Sequence, residues 1–492
     1  MKEWYKVVFA VAKAAGIFLL PSPIATLFEL ESDRPSSCHR EARKTAYLDG
    51  LRGLAATIVF IEHFGLPFYP SIVGSNASEW SYLQLPIIRL LYHGSFAVSV
   101  FFVISGFVLS QNLIHLEHQT IDCGCSRSET PDRTVLASQI LDVLGSAAFR
   151  RAPRLFLPSA VVVLLTAGLA FFFDAFAAAE QFPGLPHHLY RLDVPRGLST
   201  LGTQLIDCFD FFLSQLIYPF PWMLEIPRQN GSNPPQTYGF HLWAIPVEFW
   251  ASEMLFIVLM ATSLRRRYVR PIVILLASAY SAWCGRWEPP LFFAGAQLAE
   301  LDLWLQLAED RCSTSVQCAG PSSLYTLFNT PNSRACLGTF MCIAGLWVGS
   351  IPDYKAASTF GFITLANSST VPNSQVYWQG IGAVLFVWSL QYHRWLRRFF
   401  NIGLLQYLGQ ISFALYLVHV PIITTFGWAV ARFLVNMYGK SLDDPGWDRE
   451  VLIAVGGVLT FAAATWIADI FWRAFDSRAA TLSKCLELLT RI

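Results

Sequence analysis

Long apolar stretches recur along this chain of 492 residues and constrain its fold more than any other feature. A helix needs about 20 mostly apolar residues to cross the hydrocarbon core of a bilayer. Mostly apolar stretches of 14 to 30 residues cover 48–68, 92–112, 155–178, 240–263, 271–284, 291–307, 335–351, 376–392, 404–433 and 451–472. The sequence therefore predicts an all-α polytopic membrane protein with about ten transmembrane helices in contact with the lipid bilayer.

Composition and charge agree with this prediction. The chain is 54% hydrophobic and only 14% charged, whereas soluble domains contain about 25% charged residues. Lysine and arginine number 35 and aspartate and glutamate 34, so the formal net charge is +1. A nucleic-acid-binding domain would show a basic excess, and we therefore expect no nucleic-acid partner. The oligomeric state is left open.

Basic residues between the predicted helices indicate the orientation of the chain. In a ten-helix arrangement the main clusters fall on one side: residues 34–44, 127–151, 265–270 and 394–398. The positive-inside rule assigns that side to the cytoplasm, and both termini with it, in the endomembrane system or the plasma membrane. Asn76, Asn230 and Asn367 begin N-glycosylation sequons in loops on the opposite side, which predicts a glycoprotein.

The predicted domain organisation is simple. Residues 1–47 form a cytoplasmic segment, residues 48–475 the transmembrane domain and residues 476–492 a cytoplasmic tail. The apolar run at 7–20 is interpreted as an interfacial helix, with an eleventh span or a signal peptide as the alternatives. The ten cysteines show no zinc-ligand spacing, since no histidine pair follows the close pairs at 123–125 and 312–318. We therefore expect no metal.

Polar residues inside the first predicted helix are the first candidate functional groups. Arg52 and His63 are eleven residues apart, which is three turns plus roughly 20°, so they share a face of the helix. Glu62 lies about 100° away from that face. Ionisable residues within a span usually face the bundle interior and serve function. The competing interpretation is a snorkelling arginine and a histidine that only packs.

Further polar residues occur at comparable depths in other predicted helices. Glu248 follows the start of the fourth helix and is expected to pair with His63, while Tyr416 and His419 share a face of the ninth.

Arg151 and Arg154 flank Pro153 at the start of the third helix. Proline is tolerated in the first turn of a helix, so a helix is expected to begin here. The free backbone N–H groups of that turn would favour an anion beside Arg154. The alternative is that these arginines only anchor the helix end at the membrane surface.

Six motifs in these regions resemble those of the membrane-bound acyltransferase-3 family, in the family's order and over nearly the whole chain. They are residues 47–56 (YLDGLRGLAA) followed by His63, 101–107 (FFVISGF), 151–155 (RAPRL) with Pro158, 243–248 (WAIPVE), 293–299 (FAGAQLA) and 412–419 (SFALYLVH). Each motif alone is weak, but six in order are specific.

The resemblance implies an O-acyltransferase that moves an acyl group, usually acetyl, from acyl-CoA to a hydroxyl. The acceptor would be a sugar, a polysaccharide or a secondary metabolite, and the donor acetyl-CoA in the usual case.

The resemblance also suggests roles for the candidate residues. His63 would act as general base or carry the acyl group itself, and Glu248 would orient it. Arg151 and Arg154 would hold the phosphates of coenzyme A. Arg52 is counted with His63 and Glu248 among the catalytic residues and would assist in holding the phosphates. Lower-ranked candidates for substrate binding are Ser105, Tyr416 and His419.

The chain departs from the family pattern near the glutamate. Ala251 and Ser252 stand where many relatives have an aromatic pair, and Trp250 stands where fungal relatives often have arginine. The acceptor is therefore not specified by the resemblance. A proton-coupled transporter or flippase could use the same intramembrane polar groups, but it predicts an internal repeat or paired broken helices, and neither is visible. A catalytically inactive binding member is disfavoured by the intact Arg52 and His63.

Overall fold

The structure is a computed structural model, and every described element is helical or irregular. It describes residues 16, 18–27, 45–69, 81–123, 133–180, 194–217, 238–266, 268–314, 331–368, 374–440 and 446–490. Within these residues the chain forms no strand, so the predicted all-α class is confirmed. Asn76 and Asn230 and most of the apolar run at 7–20 lie outside the described residues.

The α-helices cover most of each predicted apolar stretch, and further α-helices lie outside these stretches. In chain order they are α1 (Ser22–Leu27), α2 (Ala46–Gly65), α3 (Gly94–Cys123), α4 (Arg133–Phe173), α5 (Ala177–Glu180), α6 (Leu201–Phe211), α7 (Ala244–Thr262), α8 (Val269–Trp283), α9 (Glu288–Thr314), α10 (Pro331–Gly349), α11 (Ile363–Asn367), α12 (Ser374–Ser389), α13 (Arg394–Phe400), α14 (Gly403–Gln410), α15 (Ser412–Ile422), α16 (Trp428–Met437), α17 (Trp447–Phe471) and α18 (Ser477–Thr490). Every predicted stretch overlaps one of these helices, and the ninth is divided among α14, α15 and α16.

Among the described residues, five helical segments are long and apolar enough to cross a membrane. They are Gly94–His118, Thr134–Phe173, Phe240–Thr262, Ser412–Met437 and Trp447–Thr490. Some of these run through short π-helical turns, such as Ile423–Gly427 between α15 and α16. A helical protein with candidate membrane spans is thus established, whereas the total of about ten spans stays a prediction.

Helix α4 begins much earlier than predicted. It starts at Arg133, so Pro153 and Pro158 both lie inside the helix, and the expectation that Pro153 occupies a first turn is wrong. Each proline removes one backbone hydrogen bond, and the surrounding helices supply the packing that keeps α4 continuous. Arg154 therefore has no helix N-terminus beside it, and its own side chain must provide any anion binding.

The first and last described helices, α1 and α18, pack against the bundle. The backbone N–H and hydroxyl of Ser22 donate to the Asp469 carboxylate at 2.9 and 2.7 Å, which attaches α1 to α17. Helix α18 packs against α4, and Arg150 lies 3.3 Å from Glu487 there. The predicted tail at 476–492 is therefore largely a packed helix.

Helix α2 lies between two apolar cores. One core joins α3, α7, α9 and α12, and Leu51 of α2 belongs to it. The other joins α4, α15, α16 and α17, and includes Phe60 of α2. Because α2 carries both Arg52 and His63, its position between the cores places these polar residues inside the bundle.

The close approach of α3 and α9 leads to a prediction about stability. A Cβ atom at Gly295 would meet the backbone of Val103 and Phe107, and small residues permit such contacts between helices in membranes. Replacing Gly295 by alanine should therefore force the helices apart at a cost of about 1–3 kcal/mol. Thermal unfolding in detergent measures this effect. Gly168→Ala is the control, because no atom lies within 4 Å of the added Cβ; equal melting temperatures would contradict the prediction.

Candidate active site

Three histidines from different parts of the chain meet at one place. His63 lies in the last turn of α2, His419 lies in α15, and His241 lies in the 3-10 turn Phe240–Trp243 that precedes α7. The His63 and His419 rings are nearly parallel, at 6° to each other, with their centroids 5.0 Å apart, and the His241 ring centroid is 4.9 Å from that of His419. The structure therefore brings together His63 and His419, which were both predicted, with His241, which was not selected.

Hydrogen bonds define the tautomers of the His63–His419 pair. His419 Nδ1 lies 2.7 Å from the carbonyl oxygen of Tyr416. A carbonyl can only accept, so in the neutral ring Nδ1 carries the proton and Nε2 keeps its lone pair. His63 Nδ1 lies 2.8 Å from that Nε2 and must donate to it. His63 Nε2 is consequently left unprotonated, which is the form that a general base requires.

The surroundings of His241 are also polar. Its Nε2 lies 3.1 Å from the carbonyl of Leu417, while its Nδ1 has no partner in the described part of the chain, although the residue is only 1% exposed. The Tyr416 hydroxyl donates to the backbone carbonyl of His241 and so holds this turn against α15. The sequence offered one signal for His241, its place just before the motif that contains Glu248.

Glu248 has a different partner from the one predicted. Arg151 Nη2 donates to Glu248 Oε1 at 2.7 Å, and Arg151 Nε donates to Ser252 Oγ at 3.1 Å. Ser105 Oγ donates to the same carboxylate oxygen at 3.4 Å. The predicted pairing of Glu248 with His63 is therefore corrected: α4 supplies a cation that pairs with the carboxylate, and His419 contacts His63.

Three arginines gather near one end of α2. Arg151 interacts electrostatically with Arg52 and Arg154, and Asp476 interacts with both of these residues. The Arg151 side chain is only 11% exposed, whereas Arg154 is exposed. Arg151 has Glu248 as its own partner, whereas Arg154 and Arg52 share the Asp476 carboxylate. These two guanidinium groups are therefore the candidates for binding an anionic ligand.

Helix α2 thus connects two chemically different regions. Arg52 and His63 are separated along its axis by roughly 16 Å. Guanidinium groups bind phosphate oxygens with forked hydrogen bonds, and an unprotonated imidazole can take a proton from a reacting group as a general base. The arrangement can hold an anionic group at one end of the helix and carry out proton transfer toward the other.

Comparisons with known proteins agree with these features. The sequence profile described as an acyltransferase domain matches residues 45–471. The chain is 29% identical to the O-acetyltransferase PaAT-1 of Phomopsis amygdali, over 92% of this chain and 87% of that protein. It is 26% identical to acyltransferase R4 of a Phoma species, over 92% and 97% of the two chains, and 26% identical to acyltransferase clz18 of Cochliobolus lunatus, over 91% and 96%.

No solved structure matches the chain. The family profile, in contrast, covers α2 through α17, which includes the histidine cluster, the Arg151–Glu248 pair and the arginines beside them. The chain therefore belongs to the acyltransferase-3 family of acyltransferases.

Proposed function

We propose that this protein is an integral-membrane O-acyltransferase that moves an acyl group, acetyl in the simplest case, from acyl-CoA to a hydroxyl of a sugar, polysaccharide or secondary metabolite. The observation that carries the proposal is the His63–His419 pair, which leaves His63 Nε2 unprotonated on the helix that also carries Arg52. Family membership supports acyl transfer. The donor and the acceptor class are the proposed parts.

In the proposed reaction His63 Nε2 takes the proton of the acceptor hydroxyl. The hydroxyl oxygen attacks the thioester carbonyl, the carbon–sulfur bond breaks, and the coenzyme A thiolate takes the proton back from the imidazolium. The products are an ester and a free thiol. His419 orients His63 and, through its own bond to the Tyr416 carbonyl, stabilises the imidazolium. His419 is therefore a positioning residue.

The arginines have separate roles in this proposal. Arg154 and Arg52 bind the phosphates of coenzyme A, because charged hydrogen bonds to phosphate are strong. Arg151 and Glu248 hold α4 against α7 and so maintain the shape of the donor site. Ser105 supports Glu248 through its hydrogen bond, and Tyr416 supports His241.

The predicted topology is part of the same proposal. Both termini face the cytoplasm, where acyl-CoA is available, and residues 48–475 form the transmembrane domain. Asn367 ends α11 and is exposed, which is consistent with a glycan at this sequon on the other side of the membrane. The bilayer is that of the endomembrane system or the plasma membrane.

Release of thiol from acetyl-CoA tests the function directly. Purified protein in detergent is incubated with acetyl-CoA and with fractionated extracts of hydroxyl-bearing glycans and metabolites, and free thiol is followed together with acceptor mass. We expect thiol release that requires both an acceptor fraction and the protein, with a gain of one acetyl group in the acceptor. If no fraction supports thiol release and the protein instead drives proton-dependent solute uptake in proteoliposomes, the alternative of a proton-coupled transporter or flippase would be favoured.

A further inference from the structure

A second cluster of polar side chains lies beside α2, away from the histidines. Glu62 directly precedes His63 and is about 100° from it around the helix. It faces a cavity of about 560 Å³ that Arg89, His93 and Asp353 also line. The cavity lies between α2 and α17 and is otherwise mostly apolar, so these side chains form its polar end. The mechanism proposed above uses none of them.

Three of these side chains offer ligand atoms to one point. One atom each from Glu62, His93 and Asp353 lies within 4.8 Å of the others. They come from three separate segments, since His93 precedes α3 and Asp353 follows α10. Ligands about 2.0–2.2 Å from a zinc ion lie closer together than this, so the side chains would move inward by roughly an ångström on binding.

The hydrogen bonding of His93 leaves one ring nitrogen available as a metal ligand. His93 Nε2 lies 2.9 Å from the carbonyl of Ile351, so it carries the proton and Nδ1 keeps its lone pair. Nδ1 has no hydrogen-bond partner in the described part of the chain, although His93 is only 3% exposed. Metal-bound histidines usually donate their other N–H to a carbonyl or carboxylate. The spacing of the three ligand atoms and this buried, unpaired lone pair therefore both indicate a bound ligand.

The carboxylates are also held in place. Gln379 donates to Asp353 Oδ1 at 2.8 Å and Ser95 donates to Oδ2 at 3.1 Å, which leaves further lone pairs on both oxygens. Hydrogen bonds of this kind fix carboxylates that bind metals. Glu62 accepts a hydrogen bond from the Gly94 backbone, which ties it to the start of α3.

The charge balance leaves room for a cation. Arg89 is 2% exposed and interacts electrostatically with Asp353, so with neutral His93 the four groups carry one net negative charge. A proton on Glu62 would neutralise this charge but would leave the His93 nitrogen unpaired. A divalent cation would take up the His93 lone pair and change the net charge of the group from −1 to +1. Arg89, whose Nε and Nη2 lack acceptors in the described chain, could donate to water or hydroxide bound to the ion.

We propose that Glu62, His93 and Asp353 bind a divalent transition-metal ion, with zinc as the reference ion. A ring nitrogen with carboxylate oxygens suits such ions better than calcium or magnesium, which prefer ligand sets made only of oxygen. The ion would join α2, the start of α3 and the segment after α10. It would thereby hold the end of α2 that carries His63.

Zinc binding by the full-length protein in detergent tests the proposal without any acyl-transfer assay. The protein is stripped with a chelator and dialysed against buffered zinc, and bound metal and melting temperature are measured. We expect one zinc per chain with a higher melting temperature than the stripped protein. The ion should be retained when calcium or magnesium is present in excess.

Variants assign the ion to this site. His93→Gln and Asp353→Asn should each lower zinc affinity roughly ten-fold or more and abolish the thermal shift. Glu450→Gln is the matched control, because Glu450 lines the same cavity but lies outside the ligand set, and it should bind zinc normally. Wild-type protein without bound zinc, or zinc that is retained equally in His93→Gln, would overturn the proposal whatever the variants do to folding.

Discussion

Replacing His63 by glutamine is expected to lower the rate of acyl transfer by about 10² to 10⁴-fold, the usual contribution of a general base. An amide can form the hydrogen bonds of a neutral imidazole but cannot take up a proton near pH 7. The variant should therefore keep its contact with His419, fold normally and bind acyl-CoA. Turnover from steady-state thiol release, and donor binding measured separately, check this result.

The matched comparison is Glu248→Gln, because the sequence alone assigned this carboxylate to His63. Since Glu248 pairs with Arg151 at 2.7 Å, its replacement should affect stability and donor binding more than the proton-transfer step. A His63→Gln protein with turnover close to wild type would remove His63 from the chemistry. A kcat loss in Glu248→Gln as large as in His63→Gln, with stability unchanged, would restore the carboxylate to a catalytic role.

Substitutions of Arg151 and Arg154 should have clearly different effects. Arg154 is exposed, and in the proposal its side chain binds a phosphate of coenzyme A. A hydrogen bond to a charged group contributes about 1.5–3 kcal/mol, so Arg154→Ala should raise the donor KM by roughly 10- to 100-fold. Its melting temperature should change little. Arg151→Ala removes one partner of a largely buried ion pair and should destabilise the fold, toward the lower end of about 3–5 kcal/mol, because Glu248 is 23% exposed.

Thermal unfolding and donor titrations of both variants test this contrast. Arg150→Ala is the control, because Arg150 lies on the same helix and its partner Glu487 is 3.3 Å away, yet Arg150 has no assigned role in donor binding. It should leave the donor KM unchanged, so it controls for donor binding; its effect on stability is a separate matter, because Glu487 is largely buried. An unchanged donor KM in Arg154→Ala would return Arg154 to a simple anchoring role at the membrane surface.

Local patterns in the sequence predicted the helices well. Each of the ten predicted apolar stretches overlaps at least one α-helix, because a helix that crosses a bilayer requires such a stretch. The boundaries were less accurate: α4 extends to Arg133 and α18 to Thr490 because packing between these two helices stabilises their less apolar turns. The shared face of Arg52 and His63 follows from helix geometry alone.

Contacts between helices could not be predicted in the same way. Glu248 lies at a depth that suits His63, but depth does not reveal which helices are neighbours, and α4 supplies its partner instead. His241 was missed because its 3-10 turn has no apolar period. The Glu62–His93–Asp353 cluster was missed because its members come from three distant segments. The expectation that no metal binds was based on the spacing of the cysteines and did not examine carboxylates.

The most direct test of the account combines His63→Gln with His419→Gln. Its central claim is that His419 acts only through His63, by fixing the tautomer that leaves His63 Nε2 unprotonated. His419→Gln alone should lower turnover by up to about 10²-fold, the cost of a misplaced catalytic group. Groups that act as a unit are strongly non-additive, so the double variant should turn over as slowly as His63→Gln alone. Losses that multiply in the double variant would contradict the claim.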